Sequence, residues 1–159
     1  MTDPSEDRRP WYLDVVIPAL LRGARNTYAA GVRQALAAGG FDDMPRNGPY
    51  VLGSLVRSGA PLAQIIKELA VSKQAAGQLI DTLVLRGYLE REVDPADRRR
   101  LTLTLTERGR AAQAASASAV ERIDGDLASR LPEDVIAQGR AMLAALAYIG
   151  RDAEGEGDD

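Results

Sequence analysis

The chain contains no cysteine and no histidine. Their absence excludes disulfides, thiolate nucleophiles, thiol redox sensing and imidazole bases, and with them nearly every ordinary zinc or iron site. Aromatic residues are scarce as well, 4% of a chain that is 45% hydrophobic. An alanine- and leucine-rich composition with so few aromatics favours packed helices over a sandwich of aromatic and β-branched strands. No run approaches the roughly 18 apolar residues of a membrane span, and the opening MTDPSEDRRP lacks the apolar stretch of a secretory signal. Any catalysis would need a carboxylate or lysine constellation, and none stands out; Asp42 and Asp43 look like loop residues. The expectation is a helical, cytoplasmic chain without cofactor, metal or membrane partner, and not an enzyme.

An excess of positive charge is missing too, since the formal net charge is −3. That figure is dominated by the end of the chain. RDAEGEGDD, residues 151–159, sets Arg151 against Asp152, Glu154, Glu156, Asp158 and Asp159, and without it the net charge becomes +1. So acidic a segment cannot bury enough apolar surface to order itself, and residues 151–159 are expected to be a disordered tail, with 1–10 a disordered lead. The remaining 11–150 have the length of one domain with a sizeable core.

What is present is helical periodicity. From 11 to about 38, Leu13, Val16, Ile17, Leu20, Ala24, Tyr28, Val32, Ala35 and Leu36 recur at three and four, which predicts a long first helix ended by Gly39 and Gly40. Turn chemistry from Pro45 to Gly48 leads into a second helix over about 49–57, and Pro61 opens a third, PLAQIIKELA. After a two-residue break comes KQAAGQLIDTLVLRG. Ser72 suits the N-cap, Ala76, Leu79, Ile80 and Leu83 form the buried stripe, and Gly87 supplies the left-handed C′ position.

The pattern then changes period. YLEREV and LTLTLT are short alternating runs joined by DPADRRR, so they predict a β-hairpin with Leu101, Leu103 and Leu105 on one face. Thr106 caps a fifth helix with Glu107 in its first turn. A sixth starts near Pro132 and carries Val135, Ile136, Leu143, Leu146 and Ile149. The fold class is therefore mainly α with a small β-hairpin (α+β). A helix-turn-helix followed directly by a hairpin is the plan of a winged helix, whose second helix enters the DNA major groove.

From about 49 to 112 the chain resembles the MarR family of bacterial transcription regulators, both in APLAQIIKELAVSKQAAGQLIDTLVLRGYLER and in DPADRRRLTLTLTERGR. The resemblance implies a winged helix-turn-helix over about 49–106, with dimerisation helices over about 11–38 and 107–150 that interlock two copies. Ala115, Ala119 and Ala144 are small enough to permit close helix approach. A homodimer reads half-sites about 10 bp apart centre to centre, or a multiple of that, so the implied partner is double-stranded DNA carrying an inverted-repeat operator. The implied function is a repressor relieved by a small-molecule effector.

Individual residues can be given roles. The outward face of the recognition helix carries Lys73, Gln74, Gly77 and Gln78, with Ser72 just before it. Glutamine can pair with adenine N6 and N7, lysine suits phosphate or guanine, glycine allows close approach, and the Ser72 hydroxyl can meet a phosphate. Asp81 is a misfit against DNA, and we place it at the edge of the contact or on a basic partner such as Arg86. In the wing, the resemblance assigns the minor-groove tip to Arg99, oriented by Asp97, while Arg98 and Arg100 suit phosphates. The bland alternatives are a solvated helix face and a charged, aggregation-resistant hairpin tip.

The resemblance also implies a small aromatic or phenolic effector lodged between the dimerisation helices and the DNA-binding lobe. Tyr28 and Tyr50 are candidates for lining such a cleft, although Tyr28 also falls on a core stripe, where a buried tyrosine is commoner. The alternative function is a winged-helix protein-interaction module without DNA binding, for which Gly77, Asp81 and the acidic tail give the only encouragement.

Overall fold

The computed structural model describes residues 10–58, 71–93 and 101–155. A short 3-10 turn, Trp11–Asp14, precedes α1 (Ile17–Ala38) and α2 (Gly48–Ser58). Next come α3 (Lys73–Leu85), the strands β1 (Leu89–Val93) and β2 (Leu101–Leu105), α4 (Glu107–Ala128) and α5 (Glu133–Gly155). The expected third helix, PLAQIIKELA, lies outside the described residues, as do residues 1–9. The chain falls into two compact units, the first through Val120 and the second from Glu121.

The start of α1 differs from a helix beginning at residue 11, and Pro18 is the reason. A proline in a helix interior would remove a backbone hydrogen bond and clash with the preceding turn, but in the first turn its missing N–H has no intrahelical partner to lose. Val15 and Val16 are accordingly extended, and the helix restarts at Ile17 with the proline in its opening turn.

The ends of α1 and α3 are built alike. At α1, Gly40 takes φ 76° while the Phe41 N–H donates to Leu36 O at 2.9 Å and the Gly40 N–H to Ala37 O at 3.1 Å. At α3, Gly87 takes φ 71°, the Tyr88 N–H donates to Leu83 O at 2.9 Å, and the Gly87 N–H to Val84 O at 3.0 Å. Both are Schellman motifs, in which a left-handed residue after the helix satisfies its last carbonyls. The second of them turns the chain directly from α3 into β1.

In the first unit, the hairpin is antiparallel, with Leu89 opposite Leu105, Arg91 opposite Leu103 and Val93 opposite Leu101. Side chains alternate along a strand, so Leu89 and Arg91 share the side on which Leu103 and Leu105 lie. Leu103 and Leu105 pack against a core of Leu36, Val51, Leu52, Ile80, Leu83, Tyr88, Leu89 and Ala112. Every element of the unit from α1 to α4 therefore contributes to one cluster. Truncating a side chain as fully buried as Leu83 to alanine should cost about 2–5 kcal/mol.

Thr106 joins the hairpin to α4. Its hydroxyl accepts the Gly109 N–H at 2.9 Å, capping the helix, and donates to Gly87 O at 2.5 Å. One side chain thereby fixes the first turn of α4 against the end of α3.

The second unit holds the end of α4 and all of α5. Glu133 and Asp134 occupy the first turn of α5, where carboxylates favour the helix dipole. The helix runs through Gly155. Residues 156–159 lie outside the described residues. Val135, Met142, Leu143, Leu146, Tyr148 and Ile149 are all exposed on α5. Among the described residues, no helix is long and apolar enough to cross a membrane.

Candidate nucleic-acid interface

α3 begins at Lys73 because Ser72, extended in backbone, accepts the Ala75 N–H on its Oγ at 3.2 Å. Such a cap satisfies one of the orphan amides of the first turn. The helix buries Ala76, Ile80 and Leu83. With 3.6 residues per turn, that stripe leaves Gln74, Gln78, Asp81 and Leu85 pointing away from the core. Lys73, Gln74 and Gln78 are exposed. The structure thus brings Ser72, Lys73, Gln74, Gly77 and Gln78 onto the opening turns of one helix.

Gly77 is half-buried, yet a Cβ built there would meet no atom within 4 Å. Packing among the described residues therefore gives no reason for glycine at this position. Gly109 is the opposite case, since a Cβ there would overlap the Tyr88 carbonyl oxygen.

The hairpin follows α3 immediately, and β1 packs beside it. Asp97, Arg98, Arg99 and Arg100, assigned by resemblance to the wing tip, lie outside the described residues. Asp81 is paired not with Arg86 but with Arg91 of β1, whose Nη2 donates to its Oδ1. Asp81 thus has a basic partner, as one of the two expected placements has it, but not the arginine given as the example. Residues five apart on a helix do not share a face, whereas residues three or four apart do. Arg86 instead donates to the backbone carbonyl of Asp43.

Asp43 is the residue that sequence reasoning missed. The Tyr88 hydroxyl donates to its Oδ1 at 2.5 Å, and Arg108 Nη2 donates to the same oxygen at 2.8 Å and to the Tyr88 hydroxyl oxygen at 3.1 Å. The Arg108 guanidinium also lies 4.7 Å from the centre of the Tyr88 ring and 5.6 Å from that of Phe41. The hydrogen bond from Tyr88 first, and then Arg108, hold the Asp43 carboxyl below its ordinary value. Burial first, and then the bond to Asp43, push the Tyr88 phenol up. This clasp fastens the loop before α2 to the α3–β1 junction and to α4. Asp43 lies 45 residues from Tyr88 and 65 from Arg108, so no local pattern in the sequence announces it.

Of the two effector candidates, Tyr28 is half-buried on α1 and Tyr50 is 40% exposed on α2. Neither lines the open cavity of about 480 Å³ in the second unit, which is bordered by Ala128, Leu131, Ile136 and Ala137 with Glu133 and Arg140. Among the described residues, no group of acidic side chains is arranged to hold a metal ion.

Residues 42–100 match the model of the MarR family. A crystal structure of MarR is 22% identical over 94% of this chain and 99% of its own, with a TM-score of 0.68. The MepR–DNA complex of S. aureus is 23% identical over 84% of this chain and 95% of its own, also at 0.68. A MarR-family transcriptional regulator from Rhodococcus sp. RHA1 is 22% identical over 89% of this chain and 99% of its own, at 0.65. At these identities the likeness is one of fold. No curated protein sequence matches the chain.

Proposed function

We propose that the chain, whose residues 42–100 match the model of the MarR family, is a cytoplasmic, homodimeric, sequence-specific DNA-binding transcription regulator of that family rather than an enzyme. The observation that carries the proposal is the surface of α3. A serine-capped helix turns Gln74 and Gln78 away from the core beside Gly77, whose absent side chain serves no contact among the described residues. A helix that enters a groove needs polar side chains able to read base edges, and room for its backbone to come close.

Ser72, Lys73, Gln74, Gly77 and Gln78 form the recognition surface in this proposal. Arg99 takes the wing tip with Asp97 orienting it, and Arg98 and Arg100 contact phosphates. MepR has been crystallised as a DNA complex, and its fold is shared here. In support of a dimer, Trp11 and Val16 in the first unit and Tyr148 and Ile149 on α5 in the second are each more than 60% exposed, apolar side chains that a second copy would cover. α1, α4 and α5 would join two copies, each presenting a winged lobe over 49–106 to one half of an inverted repeat. The regulator acts as a repressor, and a small aromatic or phenolic effector that disfavours the DNA-competent spacing relieves it. Tyr28 and Tyr50 are the effector contacts we assign.

The alternative, a winged helix that binds protein instead of DNA, draws on one observation: Leu85 is 87% exposed on the outward side of α3. Single exposed leucines are ordinary on protein surfaces, and this one carries less weight than the helix cap and the polar face. Fluorescence anisotropy with duplex DNA at two salt concentrations, comparing the native chain with Arg99→Ala, tests the proposal. Steep salt dependence and strong weakening by Arg99→Ala with the dimer intact are expected. Equal affinity of the two proteins would refute the wing assignment.

A further inference from the structure

The ion pair between Asp81 and Arg91 has no role in the function proposed so far. Asp81 lies on the outward side of α3, one turn beyond Gln78, and a bare carboxylate there would repel a phosphate backbone. The pair also contributes little to the fold. Its side chains are 67% and 42% exposed, and exposed pairs contribute about 0–1 kcal/mol. What it does is geometric, because it ties the recognition helix to the first strand of the hairpin.

Arg91 stands opposite Leu103 on the hairpin side that carries Leu89 and the core. Its guanidinium therefore emerges at the border between α3 and β1, where Asp81 receives it. An arginine presents five N–H donors in a rigid plane. Asp81 Oδ1 takes a bond from Nη2, and among the described residues no other acceptor is bonded to that guanidinium. Unused donors fixed in direction, lying between two DNA-reading elements, are suited to a phosphate oxygen.

We propose that Arg91 is a DNA-backbone contact and that Asp81 is its positioning residue, holding the guanidinium plane toward a phosphate between the recognition helix and the wing. The inference rests on the proposed DNA-binding function and deepens it. It turns the misfit of an acid on a DNA-facing helix into a requirement.

The test uses the sign of one substitution. If Asp81 only repels DNA, Asp81→Asn removes a negative charge and tightens binding. If it positions Arg91, Asp81→Asn weakens binding although the protein becomes more positive. Duplex binding of the full chain, Asp81→Asn, Arg91→Gln and Arg91→Lys is followed across salt concentrations, with urea unfolding in parallel. Arg91→Gln should lower the slope of log K against log salt by about 0.9, so that between roughly 50 and 200 mM salt it loses about three- to fourfold less affinity than the native chain. Asp81→Asn should weaken binding and lower the slope in the same direction, with an unfolding midpoint close to the native one. In an Arg91→Lys background, which keeps the charge but not the planar fork, Asp81→Asn should have no weakening effect left. Tighter or unchanged binding by Asp81→Asn, or an unchanged slope in Arg91→Gln, overturns this inference alone. A native chain that binds no DNA at low salt overturns the proposed function as well.

Discussion

Replacing Gly109 by alanine should destabilise the winged unit, against the usual trend for a glycine inside a helix. Glycine-to-alanine in a helix gains at most about 1 kcal/mol, the interior value, and less in the first turn where Gly109 sits. At 109 the new Cβ would overlap the Tyr88 carbonyl oxygen and lie 3.0 Å from its carbon, where ordinary contact begins near 3.4 Å. Neither side can yield freely. The Tyr88 backbone is held by its N–H bond to Leu83 O at 2.9 Å, and the Thr106 N–H donates to the crowded carbonyl at 3.2 Å. Forcing a methyl into a packed site costs about 1–3 kcal/mol, and loosening the Thr106 cap adds about 1 kcal/mol. Set against the helix gain, the net loss is about 2 kcal/mol. Urea unfolding followed by circular dichroism, at fixed protomer concentration because association shifts apparent stability, should show a midpoint lower by about 1 M for a slope near 2 kcal/mol per M. A midpoint at or above the native one would mean that α4 does not press on the α3–β1 corner as described.

Three further outcomes follow from the same geometry. Gly77→Ala meets no atom among the described residues, so it should raise stability by about 0.5–1 kcal/mol while weakening DNA binding; stabilisation with unchanged affinity would remove Gly77 from the interface. Gln74→Ala or Gln78→Ala should relax sequence preference by about 1–3 kcal/mol at one base position and leave random-sequence binding almost unchanged, and uniform weakening across sequences would argue against base contact. The third concerns acid. The Asp43 carboxyl is held below its ordinary value of 3.8 in the folded chain, chiefly by Tyr88. Its contribution is therefore fully present above that value and is lost as pH falls through the lowered folded value. Asp43→Asn should then be less stable than the native chain at neutral pH, with the gap closing as pH falls below 3.8; a gap that stays constant into acid would rule out the clasp as its source.

Features set by neighbours in sequence could be read before the structure. The Ser72 and Thr106 caps, the left-handed Gly87, and the alternating Leu103 and Leu105 all follow from rules that span a few residues, and each is found in place. The 3-10 turn before α1 was legible too, had Pro18 been given more weight than the apolar spacing on either side of it. Features that depend on tertiary approach were not. Asp43 looked like a loop acid because its partners come from two other elements, and Asp81 pairs across to a strand rather than along its own helix. That Gln74 and Gln78 point away from the core was legible because periodicity alone decides which way a helical residue points.

The central claim is that two copies of α3 and its hairpin read a specific duplex sequence. Selection from a pool of random-sequence duplexes, with the retained DNA sequenced after several rounds, tests this without knowing where in a genome the site lies. The account requires enrichment of an inverted repeat whose half-sites are about 10 bp apart centre to centre, or a multiple of that. Duplexes that are not retained even at low salt, or retained without any shared sequence, would contradict it and put the protein-binding alternative first.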